Sequence, residues 1–253
     1  MVFPVRADGA SGRRRSRSGK LTIGVVAIQR QKLPTQLLAT HQSGADLRGI
    51  TLSHGHLAGV QLTNCDLRGA NFAYAHLQGA NLIGSDLRSV NLWEADASEA
   101  NLIATNLRQS QLRRGLFCRA FCQRANLSEA QLQEANFNEA DLSQAVFTLA
   151  EAQGIYLYRA CLHQAKLVRA FFQQAYAIEA DFSQIVGDRL DLRWANLKKA
   201  NFRHAYLVGA QFQGANLSQA DFTGADLRGA NFQQANLQQT LFLQAQLDDM
   251  KWS

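Results

Sequence analysis

The sequence has very little proline and no long hydrophobic run near its N terminus. Its two prolines are Pro4 and Pro34, so none follows in the rest of the chain. Because proline lacks a backbone N–H, its absence is expected where nearly every N–H takes part in pairing. The apolar stretch Leu21–Ile28 has only eight residues, which is too short to span a bilayer, and it lacks a clear signal cleavage site. We therefore expect a chain that is neither membrane-spanning nor exported.

A repeat with a period of five residues fills most of the chain. Leucine or phenylalanine occupies 36 of the 41 positions that run in steps of five from Leu47 to Leu247. The residue two places before each of these central positions is usually small, and it is alanine in 28 of the 41 units. Residues two apart point to the same side of an extended backbone, so one large and one small side chain would face inward. Self-similarity at a short fixed period predicts a solenoid.

The unit reads A(D/N)LxG, as in ADLRG at 45–49 and GANLS at 214–218. This motif resembles the pentapeptide-repeat family, in particular its long, regular, cyanobacterial-type members. The resemblance implies an all-β fold, a right-handed quadrilateral β-helix with four units per coil and about ten coils for the 41 units. A short helix over 31–44 is expected to cap the N-terminal coil, since an uncovered end would expose core and unpaired backbone.

Charge divides the chain into a basic arm and a neutral repeat. Residues 1–44 carry eight Lys/Arg and one Asp, whereas residues 45–253 carry 18 Lys/Arg and 19 Asp/Glu. We predict a basic, disordered arm over 1–30, the repeat over 45–249 and a tail over 250–253, with a homodimer contact possible at a rod end. The arm could bind nucleic acid or an anionic membrane surface through its clustered cations, which are Arg13, Arg14, Arg15, Arg17 and Lys20.

Residues 20 apart should stack in surface columns about 4.8 Å apart. One column alternates in sign over six coils and predicts a salt-bridge ladder, whose exposed pairs each contribute about 0–1 kcal/mol. Its members are Glu99, Arg119, Glu139, Arg159, Glu179 and Lys199. A second column stacks four arginines beside a column of three Asp residues and one Asn; the Asp residues can neutralise the arginines, which leaves polyanion binding as the weaker alternative. These arginines are Arg48, Arg68, Arg88 and Arg108.

Apolar residues replace the usual Asp or Asn on the face that carries the ladder. Contiguous exposed aromatic residues often mark interaction surfaces, although stacking between coils could also account for them. The predicted partner-binding set is Leu116, Tyr156, Tyr158, Tyr176 and Ile178. Phe121, Val146, Phe171 and Val186 replace polar residues on neighbouring faces.

The chain lacks the residue patterns of catalysis, so we predict no enzyme activity, no cofactor and no metal site. No catalytic triad, paired carboxylates or phosphate-binding glycine loop is recognisable, and a filled core would leave no substrate pocket. His54, His56 and His76 could approach one another, but no carboxylate or cysteine completes a metal site. The register places Cys65 and Cys122 inward and Cys118 and Cys161 outward two coils apart. This arrangement favours a reduced, cytoplasmic chain.

Three functions are compatible with the sequence. The favoured one is a non-catalytic protein-interaction rod, a scaffold or regulatory partner of another protein. The second, implied by resemblance to the fluoroquinolone-resistance pentapeptide proteins, is a DNA mimic that modulates a type II topoisomerase such as gyrase. The near-neutral repeat with its exposed arginine columns departs from the acidic surface that such a mimic requires. The third is nucleic-acid or membrane-surface binding through the basic arm.

Overall fold

The chain forms a continuous coil with 20 residues per turn in the computed structural model, which describes residues 43–252. Single-residue parallel bridges join residues 20 apart, from Asp46 with Asp66 to Asn231 with Lys251. Within the described residues there is no helix, and no strand is longer than one bridge residue. The bridges form four columns, so each coil has four sides. We number the faces by their bridge positions: face 1 from 46 to 246, face 2 from 51 to 251, face 3 from 56 to 236 and face 4 from 61 to 241.

Most of the backbone N–H groups in a five-residue unit are hydrogen-bonded. In the unit around Phe72, the N–H groups of Asn71, Phe72 and Tyr74 bond to neighbouring coils at 2.7–2.8 Å, and that of Ala75 bonds to Phe72 O at 2.9 Å. The fifth N–H, that of Ala73, donates to Asn71 Oδ1 at 3.1 Å. This bond explains the preference for Asp or Asn at the bridge position, because only a short side-chain acceptor reaches the N–H two residues on. It also explains why proline is excluded.

The corners are tight turns with left-handed backbone at their third residue. The φ angle there lies between 51° and 74° at every corner from Gly44 to Asp249. A positive φ at this position is the signature of a type II turn, for which glycine is favoured. Glycine occupies only 11 of these corners, and the other 31 hold residues with a side chain. Inter-coil bonding therefore holds many non-glycine residues in a conformation that costs about 1–2 kcal/mol each.

The interior is filled by the large central residues and the small residues that precede them. Phenylalanines stack on one another from coil to coil, with ring centroids 4.9 Å apart for Phe182 and Phe202 and 4.7 Å apart for Phe202 and Phe222. The five centres without Leu or Phe are Ala97, Cys122, Ala152, Ala177 and Gly187, and all are buried. At two of them a large residue stands three places later, where alanine is usual: Ile155 after Ala152 and Leu190 after Gly187. A larger neighbour thus fills space that the missing centre leaves.

The ends of the repeat differ from the predicted boundaries. Residues 43 and 44 belong to a repeat turn, with Gly44 N bonded to Thr63 O at 3.0 Å, so the predicted helix over 31–44 does not include them. Its remainder and the arm over 1–30 lie outside the described residues. At the other end, Lys251 bridges Asn231, and the Trp252 ring stacks on Phe232 at 5.8 Å. Residues 250–252 therefore continue the coil instead of forming a tail, because their spacing keeps the five-residue register.

Candidate functional site

The structure brings four of the five predicted partner-binding residues together on face 3. The rings of Tyr156 and Tyr176 stack with centroids 5.0 Å apart and 8° between their planes, and their side chains are 39% and 50% exposed. Tyr158 lies beside them with the Arg159 guanidinium 5.0 Å from its ring centroid, and Ile178 is half-buried. We call Tyr156, Tyr158, Tyr176 and Ile178 the tyrosine patch.

Leu116, the fifth predicted residue, is exposed but stands apart from the tyrosine patch. Asn136 bridges Leu116 on one side and Tyr156 on the other, so a polar coil separates the two. The five-residue register correctly predicts that Leu116 lies on the same face as the tyrosines. Residues of one column touch only when they lie in consecutive coils, however, and Leu116 lies two coils from Tyr156.

An open groove of about 510 Å³ runs beside the two stacked tyrosines. Its lining adds Trp194, which is 58% exposed and lies at the corner that precedes face 3. The Trp194 ring lies over Gly214, where a Cβ atom would overlap the ring. Gly154, two coils before Trp194 in the same corner column, leaves the groove open next to Tyr156. Sequence reasoning missed Trp194 because it looked for exposed apolar residues only at the bridge positions and beside them; a tryptophan in the corner column that also holds Gly154 and Gly214 was the available signal.

The predicted salt-bridge ladder has three pairs within ion-pair distance. Arg119 lies 2.9 Å from Glu99, Arg159 lies 2.7 Å from Glu179, and Lys199 lies 3.5 Å from Glu179. The hydrogen bond from Arg159 holds the pKa of the Glu179 carboxyl below its usual range. In the part of the chain that the structure describes, Glu139 forms no ion pair, because Arg159 turns towards the next coil. These side chains are solvent-exposed except for Glu179, which is half-buried, so each pair contributes little to stability.

The arginine column on face 1 is neutralised by its own neighbours. Arg68 donates to both carboxylate oxygens of Asp66 at 2.8 and 2.7 Å, and this hydrogen bond lowers the pKa of Asp66. The same arrangement recurs at Arg48 with Asp46 and at Arg88 with Asp86. Arg108 follows Asn106, which has no charge, and it pairs with Glu129 at 2.6 Å instead. This column therefore presents paired charges, neither an open cationic strip nor an acidic one.

The remaining candidates for chemistry are dispersed. His54 stacks on Tyr74 at 4.8 Å, whereas His56 stacks on His76 at 5.0 Å. Among residues 43–252, no group of three His, Cys, Asp or Glu side chains is placed to hold a metal ion. The described residues also contain no helix that is long and apolar enough to cross a membrane. The cations predicted for polyanion binding, from Arg13 to Lys20, lie outside the described residues.

Comparison with known proteins identifies the family. The sequence profile described as "Pentapeptide repeats" matches eight copies, over residues 45–84, 80–117, 125–164, 156–186, 188–224 and 225–249. The chain belongs to the pentapeptide-repeat family, and the resemblance seen in its sequence is confirmed. Its coil is the right-handed quadrilateral β-helix of that family. A comparison with curated protein sequences finds no match.

Solved structures provide further points of reference. HetL, a pentapeptide repeat protein involved in heterocyst differentiation regulation from the cyanobacterium Nostoc, has 30% identity and a TM-score of 0.72, covering 84% of this chain and 92% of HetL. QnrB1, a plasmid-mediated fluoroquinolone resistance protein, has 21% identity and a TM-score of 0.39, covering 84% and 91%. A pentapeptide repeat protein from the cyanobacterium Cyanothece has 24% identity and a TM-score of 0.24, covering 53% and 91%.

Proposed function

We propose that this protein is a non-catalytic interaction rod that binds another protein through the tyrosine patch and the adjacent groove. The main observation in support of this proposal is the exposed stack of Tyr156 and Tyr176 beside the open groove that Trp194 borders. Clustered exposed aromatic side chains supply large contact areas and are typical of the residues that dominate binding energy. A regulatory role agrees with the description of HetL as involved in differentiation regulation.

The tyrosines replace residues that serve the fold, which argues for a role beyond stacking. An Asp or Asn at the bridge position would bond to the N–H two residues on, as Asn136 does to Asn138 N at 3.0 Å. With Tyr156 in that position, the N–H of Tyr158 instead donates a hydrogen bond to Oδ1 of Asn138 in the preceding coil, at 2.8 Å. The N–H of Ile178 has no such acceptor within residues 43–252. The substitutions thus give up a local bond and expose aromatic surface.

The groove defines the chemistry of the partner. Two phenol rings and an indole form its apolar wall, and Glu134 and Gln174 form a polar rim. Glu134 is already paired with Arg114 at 2.9 Å, so the rim offers little net charge. We expect a protein surface that inserts an apolar side chain beside Tyr156 and accepts hydrogen bonds from the phenol hydroxyls. Such an interface should be weakly dependent on salt.

The test combines capture with a binding measurement. Proteins are captured from native lysate with three baits: the parent, a Tyr156→Arg/Tyr176→Arg variant and a Phe121→Arg/Trp93→Arg control. The control also replaces two exposed aromatic residues by arginine, but on other faces of the coil. A protein captured by parent and control only is then purified and titrated by calorimetry. The proposal requires binding at least about tenfold weaker with the tyrosine variant than with the control. Equal capture by both variants, at unchanged thermal stability, would refute the docking role.

A further inference from the structure

Four consecutive units on face 1 depart from the rule that Asp or Asn occupies the bridge position. On either side of them the rule holds, with Ser128 N bonded to Asn126 Oδ1 at 3.1 Å and Arg228 N bonded to Asp226 Oδ1 at 3.2 Å. The four replacing residues are Val146, Lys166, Val186 and Tyr206. The N–H groups two places after them have no hydrogen-bond acceptor within residues 43–252; they belong to Thr148, Val168, Asp188 and Val208. Face 1 therefore carries a row of N–H donors that the fold does not use.

Cations accompany these donors. Lys166, Arg169 and Arg189 form no ion pair within the described residues, and Arg169 and Arg189 occupy the same corner of adjacent coils. Stacking like charges at this spacing is unfavourable without an anion. Asp188 is the single carboxylate among these units and forms no ion pair within 43–252 either. This arrangement contrasts with the arginine column of the earlier coils, where Arg68 and Asp66 bind each other through two hydrogen bonds.

The same coils expose apolar surface. Leu149, Val186 and Tyr206 are 36–39% exposed, and the valines at 146, 168 and 208 are half-buried between them. We call this surface, from Val146 to Val208, the basic valine patch. It extends over three coil steps, or roughly 14 Å, which corresponds to four or five residues of an extended peptide.

We infer that the basic valine patch is a second docking surface, which binds an acidic segment of another protein in which carboxylates alternate with apolar residues. Both the N–H row and the cations are donors, so only an acceptor-rich partner satisfies them together. The exposed Val186 and Tyr206, with the half-buried valines beside them, favour a peptide with apolar side chains over a nucleic-acid backbone, which would leave them uncovered. Alternation places carboxylates on one side of an extended segment and apolar residues on the other. Main-chain pairing to an exposed backbone is a recurrent mode of peptide binding.

The inference is independent of the tyrosine patch. Face 1 and face 3 are opposite sides of the four-sided coil, and both patches lie in the coils between residues 146 and 208. A partner on one face therefore leaves the other face accessible. The protein could hold two partners at the same height along the rod, one through an aromatic surface and one through charge.

The test uses a dye-labelled decapeptide of alternating Glu and Leu, with fluorescence anisotropy as the readout. Arg169→Gln/Arg189→Gln should weaken binding about tenfold or more, and raising the salt from about 50 to 300 mM should weaken parent binding severalfold. The control, Arg113→Gln/Arg124→Gln, removes two exposed cations elsewhere and should leave the affinity within about twofold. Val186→Asn restores a common bridge residue, so it removes apolar surface and also gives the Asp188 N–H an acceptor, and it should therefore weaken binding as well.

Three outcomes would overturn the inference. The first is no binding of the Glu–Leu peptide by the parent at low salt. The second is an equal loss in both double variants, which would indicate nonspecific attraction to net positive charge. The third is tighter binding of a decaglutamate or of a single-stranded oligonucleotide with the same dependence on Arg169 and Arg189, which would identify a general polyanion surface.

Discussion

The exchange of a large and a small residue at Gly187 and Leu190 allows a quantitative test of how this core is packed. A Cβ atom added at Gly187 would lie 3.0 Å from Leu207 Cδ2 and 3.3 Å from Leu190 Cδ2. Both leucines are fully buried. The space that a central leucine would occupy at 187 is therefore taken by its neighbours. Gly187→Leu alone should overpack the coil and cost about 1–3 kcal/mol of unfolding free energy.

Leu190→Ala alone should leave a cavity and cost about 2–5 kcal/mol. The double variant Gly187→Leu/Leu190→Ala restores the usual arrangement of a large centre followed three residues later by alanine. Gly187 does not have a positive φ, so a leucine backbone fits there. We expect the double variant to lie within about 1.5 kcal/mol of the parent, which implies a favourable coupling of at least about 1.5 kcal/mol.

Urea denaturation followed by far-UV circular dichroism measures the four members of this cycle. A solenoid can unfold in parts, so midpoints and slopes are both compared before free energies are assigned. The control pairs Gly187→Leu with Leu227→Ala, two coils away, where the two costs should simply add. If the double variant at 187 and 190 is destabilised by the sum of its single costs, the two positions do not share one space and the packing argument is refuted.

Two further predictions concern the surface. Glu139→Gly should raise the free energy of unfolding by up to about 1 kcal/mol, and with it the urea midpoint, because Glu139 has φ 61° and no ion pair within residues 43–252. The control Lys198→Gly, at an exposed position away from the corner, should lower both, and the reverse order would contradict the strain argument. Arg88→Gln should destabilise the protein at neutral pH, because the hydrogen bond from Arg88 lowers the pKa of Asp86 below 3.8. Because the carboxyl pKa is lower in the folded than in the unfolded protein, the ionised Asp86 stabilises the fold above the unfolded-state pKa, and this stabilisation is lost on acidification. The unfolding free energies of the parent and the variant, measured in urea titrations, should therefore converge as the pH falls below about 4. A difference that stays constant with pH would contradict this.

The register of the core and the identity of each face follow from the sequence because the period is strict. Once residues 20 apart are known to stack, the outward direction of Tyr156 and the inward direction of Phe137 require no further information. The pattern alone does not reveal why Asp and Asn prevail at the bridge position, since the reason is a bond from the side chain to an N–H within the same turn. That bond also makes the four departures on face 1 informative.

The sequence does not predict which of two equivalent neighbours a charged or aromatic side chain contacts. Arg159 stands between Glu139 and Glu179 in its column, and the spacing makes the two carboxylates equal, yet the structure pairs it with Glu179. Trp194 is similar, because a large ring at a corner can extend in several directions. Its position over Gly214 depends on the absence of a Cβ atom one coil away.

The uniform separation of 20 residues between bridged positions also bears on how the chain folds during synthesis. Each new coil pairs only with the coil completed just before it, so no contact has to wait for a distant part of the chain. At about 5–20 residues per second, a ribosome would supply one coil every few seconds. Closing a loop of this length takes far less time. The growing coil can therefore be added in step with translation, with each finished coil serving as the template for the next.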